Sequence, residues 1–381
     1  MSNKTIGFIG FGLIAGSIAH AIKEKHPGYT LISYNHRKSN ADKEQAGTPV
    51  SNGRNGISEA LKDNVLTYVY NDLEEGFSTC DIIFLCAPVL TNITYLSKLR
   101  GIIKPDCILT DVGSVKGNIH AAVDELKLNQ HFIGGHPMAG SEKTGYQNSS
   151  SKIMENAYYI LTPTKEVPNE MVTTLFQLVK DMNAIPLVLD AKEHDDITAA
   201  ISHVPHIIAA ALVNAVKNAD GPEEKMRLLA AGGFKDITRI ASSSPEMWQN
   251  ICLTNPVSIK HFLSQYITSL KEMLKAIDVE NADYIYQCFD TASEYRNSIP
   301  NKSIGIMNKE FVIYLDIADE TGAISTIATL LASNSINIKN IGIIHNREFE
   351  EGVLRIEFYE EETSAKAVDL LKNCGYTVYQ R

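Results

Sequence analysis

The chain has 381 residues, enough for two or three domains with real hydrophobic cores. Its 35 Lys and Arg against 45 Asp and Glu leave a net charge of −10, which excludes a general polyanion binder because nucleic-acid binding needs a basic face. No apolar run approaches the roughly 20 residues of a membrane span, the N-terminus has no signal-peptide layout, and six scattered Cys without a CxxC pair fit reduced thiols rather than a zinc site or a disulfide framework. The expectation is a cytoplasmic protein with no metal, nucleic-acid or membrane partner.

Over residues 1–190, short apolar runs alternate with helical stretches. Strands are expected at 5–9, 30–34, 66–70, 81–87, 107–111, 132–134, 158–161 and 186–189. Several are unbroken Ile, Leu, Val and Phe, as in strands covered on both faces. Helices are expected at 13–25, 91–100, 115–126 and 169–182. This alternation predicts a largely parallel, doubly wound sheet. Residues 35–62 read as a long polar loop over 39–55 with no clear helix.

From 191 to about 300 no strand-like run occurs. Helical periodicity fills 193–217, 223–229 and 258–298, and Ser244-Pro245-Glu246 reads as a helix start. The apolar stretch 207–216 calls for burial nearly all round, which in an all-helical segment implies packing between subunits. A polar linker at 301–308 leads to the last segment, 309–381. Its strands at 311–318, 338–345, 352–358 and 376–379, with helices at 323–334 and 363–374, form the βαββαβ order of a ferredoxin-like unit. That segment holds 7 basic and 12 acidic residues, so half the net negative charge lies in one-fifth of the chain.

Gly10-x-Gly12-x-x-Ala15 follows the first strand and opens the first helix, as in a dinucleotide-binding fingerprint. Gly10 permits the tight turn, Gly12 lets backbone approach a pyrophosphate, and Ala15 allows close helix–strand packing. The N–H groups of the helix start, at Leu13 and Ile14, face the phosphates. The second strand ends in Asn35, His36 and Arg37, where an NAD site usually has an acidic residue for the ribose 2′-OH. A neutral residue followed by basic ones can receive a 2′-phosphate, so NAD or NADP is the expected cofactor, with NADP at least tolerated.

Ser114 lies in Asp111-Val112-Gly113-Ser114-Val115-Lys116-Gly117, after a strand and before a helix. It is placed either to cap that helix or to meet a ligand at the carboxyl end of the sheet. His136, in Gly134-Gly135-His136-Pro137, is flanked by glycines that allow close ligand approach to a group exchanging protons near neutral pH. His203 and His206 stand three apart without an HExxH-type partner, and Pro205 between them is expected to kink its helix and re-aim His206. Lys235 and Arg239, four apart after Gly232-Gly233, would share one helical face suited to a carboxylated substrate, or else pair with local acids. Trp248 reads as core.

Taken together, GFGLIAGS (10–17), DVGSVKG (111–117), GGHPMAGSEKTG (134–145), SHVPH (202–206), GGFKDITRIASSSPEMW (232–248) and the βαββαβ tail resemble the prephenate dehydrogenases of tyrosine biosynthesis that carry a C-terminal ACT domain. The resemblance covers essentially the whole chain. It implies an α/β Rossmann-like NAD(P)-binding domain at 1–190, an all-α substrate and dimerisation domain at 191–300, and an α+β ferredoxin-like ACT regulatory domain at 309–381. The implied reaction is oxidative decarboxylation of prephenate to 4-hydroxyphenylpyruvate and CO2, with hydride passing to NAD(P)+. His136 is implied as the catalytic base and Ser114 as the residue orienting the C4 hydroxyl and the nicotinamide. Arg239 would hold a substrate carboxylate, supported by Lys235 and His206. Ser141 and Glu142 fall at the pocket mouth, and Trp248 lines the site. In the tail, Asp319, Thr321, Gly322, Ala323 and Asn337 match the ACT pattern for an amino-acid effector, implying feedback by L-tyrosine, and a homodimer is implied. Arogenate dehydrogenase, and a catalytically idle amino-acid sensor, remain the alternatives.

Overall fold

A computed structural model describes residues 3–35, 53–140, 143–299, 311–317, 320–344 and 352–379. The chain divides into two units, Met1–Gly305 and Ile306–Arg381. In the first, β1 (Thr5–Ile9), α1 (Leu13–Lys25), β2 (Thr30–Tyr34), α2 (Gly53–Lys62), β3 (Tyr68–Tyr70), α3 (Leu73–Phe77), β4 (Ile82–Leu85), α4 (Val89–Leu99) and β5 (Ile108–Asp111) follow in order. The strands make one parallel sheet, β3-β2-β1-β4-β5. Its order reverses beside β1, and the carboxyl ends of β1 and β4 form the crevice where such sheets bind ligands. Burial on both faces explains the unbroken apolar runs. Phe8 stacks on Phe84 at 5.4 Å in one layer, while Ile83 and Leu85 pack with Leu96 and Leu99 in the other.

The expected single parallel sheet ends at β5. After α5 (Gly117–Glu125), β6 (Ile133–Pro137), β7 (Tyr158–Pro163), α6 (Asn169–Asp181) and β8 (Ile185–Val188) form a second sheet, β6-β7-β8, with β7 antiparallel to β6. Only short 3-10 turns at Tyr146–Asn148 and Ser151–Ile153 lie between β6 and β7 among the described residues, and a return without a crossover helix is antiparallel. A parallel bridge from Leu109 to Phe132 ties the two sheets edge to edge.

Helix α2 corrects the expectation of no clear helix within residues 35–62. Gly53 and Gly56 weaken its propensity, but Ala60 is fully buried and Gly56 lies so close to Tyr146 that a Cβ would come within 2.8 Å of that side chain. Tertiary packing, not propensity, forms this helix.

The helical half begins with α7 (Ala191–Thr198), a π-helical turn (Ala199–His203) and α8 (Val204–Ala219). Pro205 does distort the helix, one turn before itself. Its ring carries no N–H and crowds the carbonyl four residues back, so the preceding turn widens. Then come α9 (Lys225–Leu229), α10 (Gly232–Thr238), a 3-10 turn (Arg239–Ser242), α11 (Pro245–Thr254), α12 (Pro256–Asp278) and α13 (Ala282–Ser298). Ser244 caps α11 through the Met247 N–H, as its sequence signals. The expected continuous helix to residue 298 breaks at Glu280, whose φ of 52° ends α12, and Asn281 caps α13 by accepting from Tyr284 N–H.

The stretch 207–216 is not buried all round within one chain. Contrary to the expectation that no apolar run approaches membrane-span length, the helical run Ala191–Ala219 is long and apolar enough to cross a membrane, because its residues join into one continuous helix, and only 22% of its apolar window is buried. Ile201, Leu253, Val257 and Phe289 are each at least 63% exposed, so the helical half presents a broad apolar surface.

The second unit holds β9 (Phe311–Ile317), α14 (Ala323–Ser333), β10 (Asn340–Ile344), β11 (Gly352–Phe358), α15 (Glu361–Asn373) and β12 (Val378–Tyr379). Its antiparallel sheet has the order β10-β11-β9-β12, the ferredoxin-like arrangement. Ile313, Leu315, Leu354 and Ile356 fill one face against Ile327 and Leu331 of α14 and Ala367 and Leu371 of α15.

Candidate active site

The glycine turn has the form its sequence predicts. Gly10 has φ +86°, and a Cβ there would lie 2.8 Å from the Ala87 backbone nitrogen, so both conformation and contact demand glycine. At Gly12 a Cβ would meet no atom of the described residues within 4 Å. Gly12 also starts α1 with no side-chain cap, leaving the N-terminal N–H groups at Leu13 and Ile14 for a ligand. Open space at a glycine beside an uncapped helix start fits a dinucleotide pyrophosphate. Asn35 directly follows β2, its N–H donating to the Tyr70 carbonyl at 2.8 Å. His36 and Arg37 lie outside the described residues.

At the end of β5, Asp111 is fully buried and organises two loops at once. Its Oδ2 accepts from Gly113 N–H at 2.9 Å, and its Oδ1 from Gly135 N–H at 3.1 Å. Lys116, also fully buried, donates from Nζ to Asp111 Oδ2 and to the Gly135 carbonyl at 2.7 Å. Burial draws the Lys116 ammonium below the ordinary lysine range, and Asp111 draws it back. Ser114 and His136 therefore each stand one residue beyond a backbone amide held by the same carboxylate. Ser114 does not cap the following helix. The amides of Lys116 and Gly117 are instead satisfied by the Asp195 carboxylate of α7, at 2.8 and 2.7 Å.

His136, on β6, places Nδ1 2.8 Å from His194 Nε2, and His194 Nδ1 lies 2.8 Å from Asp195 Oδ1. Burial holds His136 well below the usual histidine range, reinforced by His194, Lys116 and His203. The imidazole is neutral at neutral pH and able to accept a proton. Behind it, Asn255 donates to the Asp195 carbonyl at 2.9 Å and lies 3.4 Å from His203 Nδ1. Burial lowers His203 to about 4.

His206 stacks on Trp248 with centroids 3.8 Å apart, while its Nδ1 donates to the Ser202 carbonyl at 2.8 Å. The Trp248 indole nitrogen is buried with no hydrogen-bond partner among the described residues. Trp248 packs against the core cluster of Val115, Ala199, Ile251 and Ile259, as its core reading expects, and also joins this histidine cluster. Lys235 lies in α10, but that helix ends at Thr238 and Arg239 opens the 3-10 turn, so the two do not share one continuous α-helical face. Both are exposed. Ser141 and Glu142 lie outside the described residues. No group of three or more His, Cys, Asp or Glu among the described residues is arranged to hold a metal ion.

In the second unit, Gly322 has φ +93° and, among the described residues, open space where a Cβ would stand, at the start of α14. Thr321 and Asn337 are exposed and Ala323 is half-buried. Asp319 lies outside the described residues.

His194, Asp195, Asn255 and the structural role of Lys116 are not evident in the sequence reading. The available signal was charge: a Lys inside a Gly-Val motif, and a His-Asp pair in a helical stretch preceding an apolar run.

Residues 18–187 match the family described as prephenate dehydrogenase, nucleotide-binding domain, and residues 190–291 match the prephenate dehydrogenase dimerization domain. The chain is 36% identical to a prephenate dehydrogenase of Bacillus subtilis, over 95% of this chain and 94% of that one. It is similar to the crystal structure of prephenate dehydrogenase from A. aeolicus in complex with hydroxyphenyl propionate and NAD+, with TM-score 0.70 and 27% identity over 79% of this chain and 99% of that chain. It is also similar to arogenate dehydrogenase from Synechocystis, with TM-score 0.67 and 27% identity over 78% of this chain and 100% of that chain. The chain belongs to the prephenate dehydrogenase family, and with it to the NAD(P)-dependent oxidoreductases.

Proposed function

We propose that this chain catalyses oxidative decarboxylation of prephenate to 4-hydroxyphenylpyruvate and CO2. The observation that carries the reading is the shared anchoring of Ser114 and a neutral His136 by Asp111, at the carboxyl end of a sheet whose first turn fits a dinucleotide. When bound, NAD(P)+ supplies the hydride acceptor. His136 accepts the C4 hydroxyl proton as the C4–H electron pair leaves, Ser114 orients that hydroxyl, and loss of the ring carboxylate as CO2 aromatises the ring. Aromatisation drives the reaction, so the residues need only orient, accept a proton and recognise anions. Arg239 holds a substrate carboxylate, Lys235 and His206 add polar support, Trp248 lines the pocket, and Ser141 and Glu142 stand at its mouth.

The division of labour follows the chain: residues 1–190 bind NAD(P), 191–300 complete the substrate pocket and dimerise, and 309–381 form an ACT regulatory domain. A second copy of the chain covers the exposed apolar surface of the helical half. L-Tyrosine binds near Asp319, Thr321, Gly322, Ala323 and Asn337, with the open left-handed Gly322 supporting backbone approach. The deciding experiment is turnover of prephenate and of arogenate, each with NAD+ and NADP+, with and without tyrosine. Prephenate turnover that tyrosine suppresses supports the reading. Activity confined to arogenate would reassign the substrate, and no turnover of either would leave an amino-acid sensor.

A further inference from the structure

We propose that His194 and Asp195 are positioning residues that dictate which ring nitrogen of His136 meets the substrate. The proposal rests on the reading of His136 as proton acceptor, and its logic is one of donors and acceptors. An ionised carboxylate only accepts. Asp195 already accepts from the N–H groups of Lys116 and Gly117, which hold it in place from the opposite side of the domain junction. Its Oδ1 contact with His194 therefore requires a proton on His194 Nδ1. With that one ring proton on Nδ1, the other nitrogen of His194, Nε2, is bare and accepts. The contact of 2.8 Å to His136 in turn requires a proton on His136 Nδ1. His136 Nε2 is left with its lone pair free for the C4 hydroxyl. The carboxylate thus sets the His136 tautomer two residues away, and the rings cross at 74°, a geometry for in-plane hydrogen bonding rather than stacking.

The same chain of bonds accommodates the proton during turnover. The proton moves from the C4 hydroxyl oxygen to His136 Nε2 while the C4–H electron pair leaves. The new imidazolium keeps its Nδ1–H bonded to His194, whose own Nδ1–H remains on the Asp195 carboxylate. When the bond to the ring carboxylate breaks and CO2 departs, its electron pair completes the aromatic ring. The proton then returns from Nε2 to the oxygen, and the relay ends as it began, with no proton gained or lost.

The test compares His194→Leu with His194→Gln in the full chain, assayed with prephenate and NAD+. Glutamine can place its Oε1 near the position of His194 Nε2 and accept the His136 Nδ1–H, whereas leucine accepts nothing. We expect His194→Leu to lower kcat by about 10- to 100-fold, within the range of general acid–base effects, with KM changed less than about twofold, and His194→Gln to recover most of the loss. Wild-type kcat in His194→Leu, or equal losses in both variants, overturns the proposal. Two-bond 1H–15N spectra of the histidine-labelled wild-type protein provide a readout without substrate. His136 must show a protonated Nδ1 and a bare Nε2, and the reverse tautomer overturns the relay whether or not the variants fold. If wild type fails to turn over prephenate while the spectra show the expected tautomer, the substrate reading fails and the relay stands.

Discussion

Lys116 Nζ lies 2.5 Å from Asp111 Oδ2, and neither side chain has any exposure to solvent. The pair links the loop carrying Ser114 to the strand carrying His136. Removing one partner of a buried ion pair leaves an uncompensated charge, which costs about 3–5 kcal/mol. Lys116→Met should therefore lower the melting temperature markedly and reduce kcat as well, because the Gly135 carbonyl loses its donor beside His136. Unchanged melting by calorimetry would show that the pair contributes nothing net.

The glycine turn separates folding from binding. Gly10→Ala forces alanine to φ +86° and sets its Cβ against the Ala87 nitrogen at 2.8 Å, so it should destabilise the fold, the left-handed backbone alone costing about 1–2 kcal/mol. Gly12→Ala has room in the protein and should melt like wild type while binding NAD+ at least tenfold more weakly, as its methyl enters the pyrophosphate's approach. Isothermal titration and melting of both variants decide this, and weakened melting of Gly12→Ala with intact binding would contradict it.

His136 and His203 also carry a pH signature. Burial, reinforced by the neighbouring His194, Lys116 and His203 and with Asp195 and Asp111 the nearby acids, keeps His136 neutral below the usual value of 6.5. The acid limb of kcat/KM should consequently fall below pH 6.5, and a limb centred at or above it would remove His136 from the role. For stability the sign follows from linkage. Below pH 6.5 the unfolded state binds protons that folded His136 and His203 refuse, so stability drops as pH falls from 6.5 toward about 4, the value for His203. Melting temperatures across that window check it.

Arg239 opens a 3-10 turn on the exposed side of the helical half. If it grips a substrate carboxylate, Arg239→Met should raise KM for prephenate at least tenfold, with kcat reduced less. Arg239→Lys should recover little, because an ammonium lacks the bidentate fork. A KM unaffected by either change would place the carboxylate elsewhere.

Gly322 offers a test of the proposed feedback by tyrosine. Its φ of +93° is hostile to a β-branched side chain. Gly322→Val should abolish inhibition by tyrosine while leaving turnover without tyrosine within about twofold. Unaltered inhibition would point to tyrosine acting at the active site.

Much of the framework was legible from local pattern. The strands Thr5–Ile9 and Thr30–Tyr34 and the helix Leu13–Lys25 begin and end where their residues say, because glycine, polar caps and runs of buried apolar residues act over a few positions. The βαββαβ order of the tail follows equally from period and turn residues. Helix α2 was hidden because its two glycines speak against a helix and only Tyr146, far along the chain, explains Gly56. The π turn was half visible: Pro205 announced a distortion, and the backbone placed it in the preceding turn.

The sequence by itself determined the alternation of elements, the glycine turn and the presence of His136 between small residues, since each depends on neighbours a few positions away. Only the tertiary structure decided how that histidine is used. Asp195 meets the Lys116 amide across 79 positions and reaches His136 through His194, itself 58 positions from His136, and no local period encodes such a bond. Packing of α7 against the loop after β5 brings the carboxylate there, and hydrogen-bond valence then leaves His136 one tautomer.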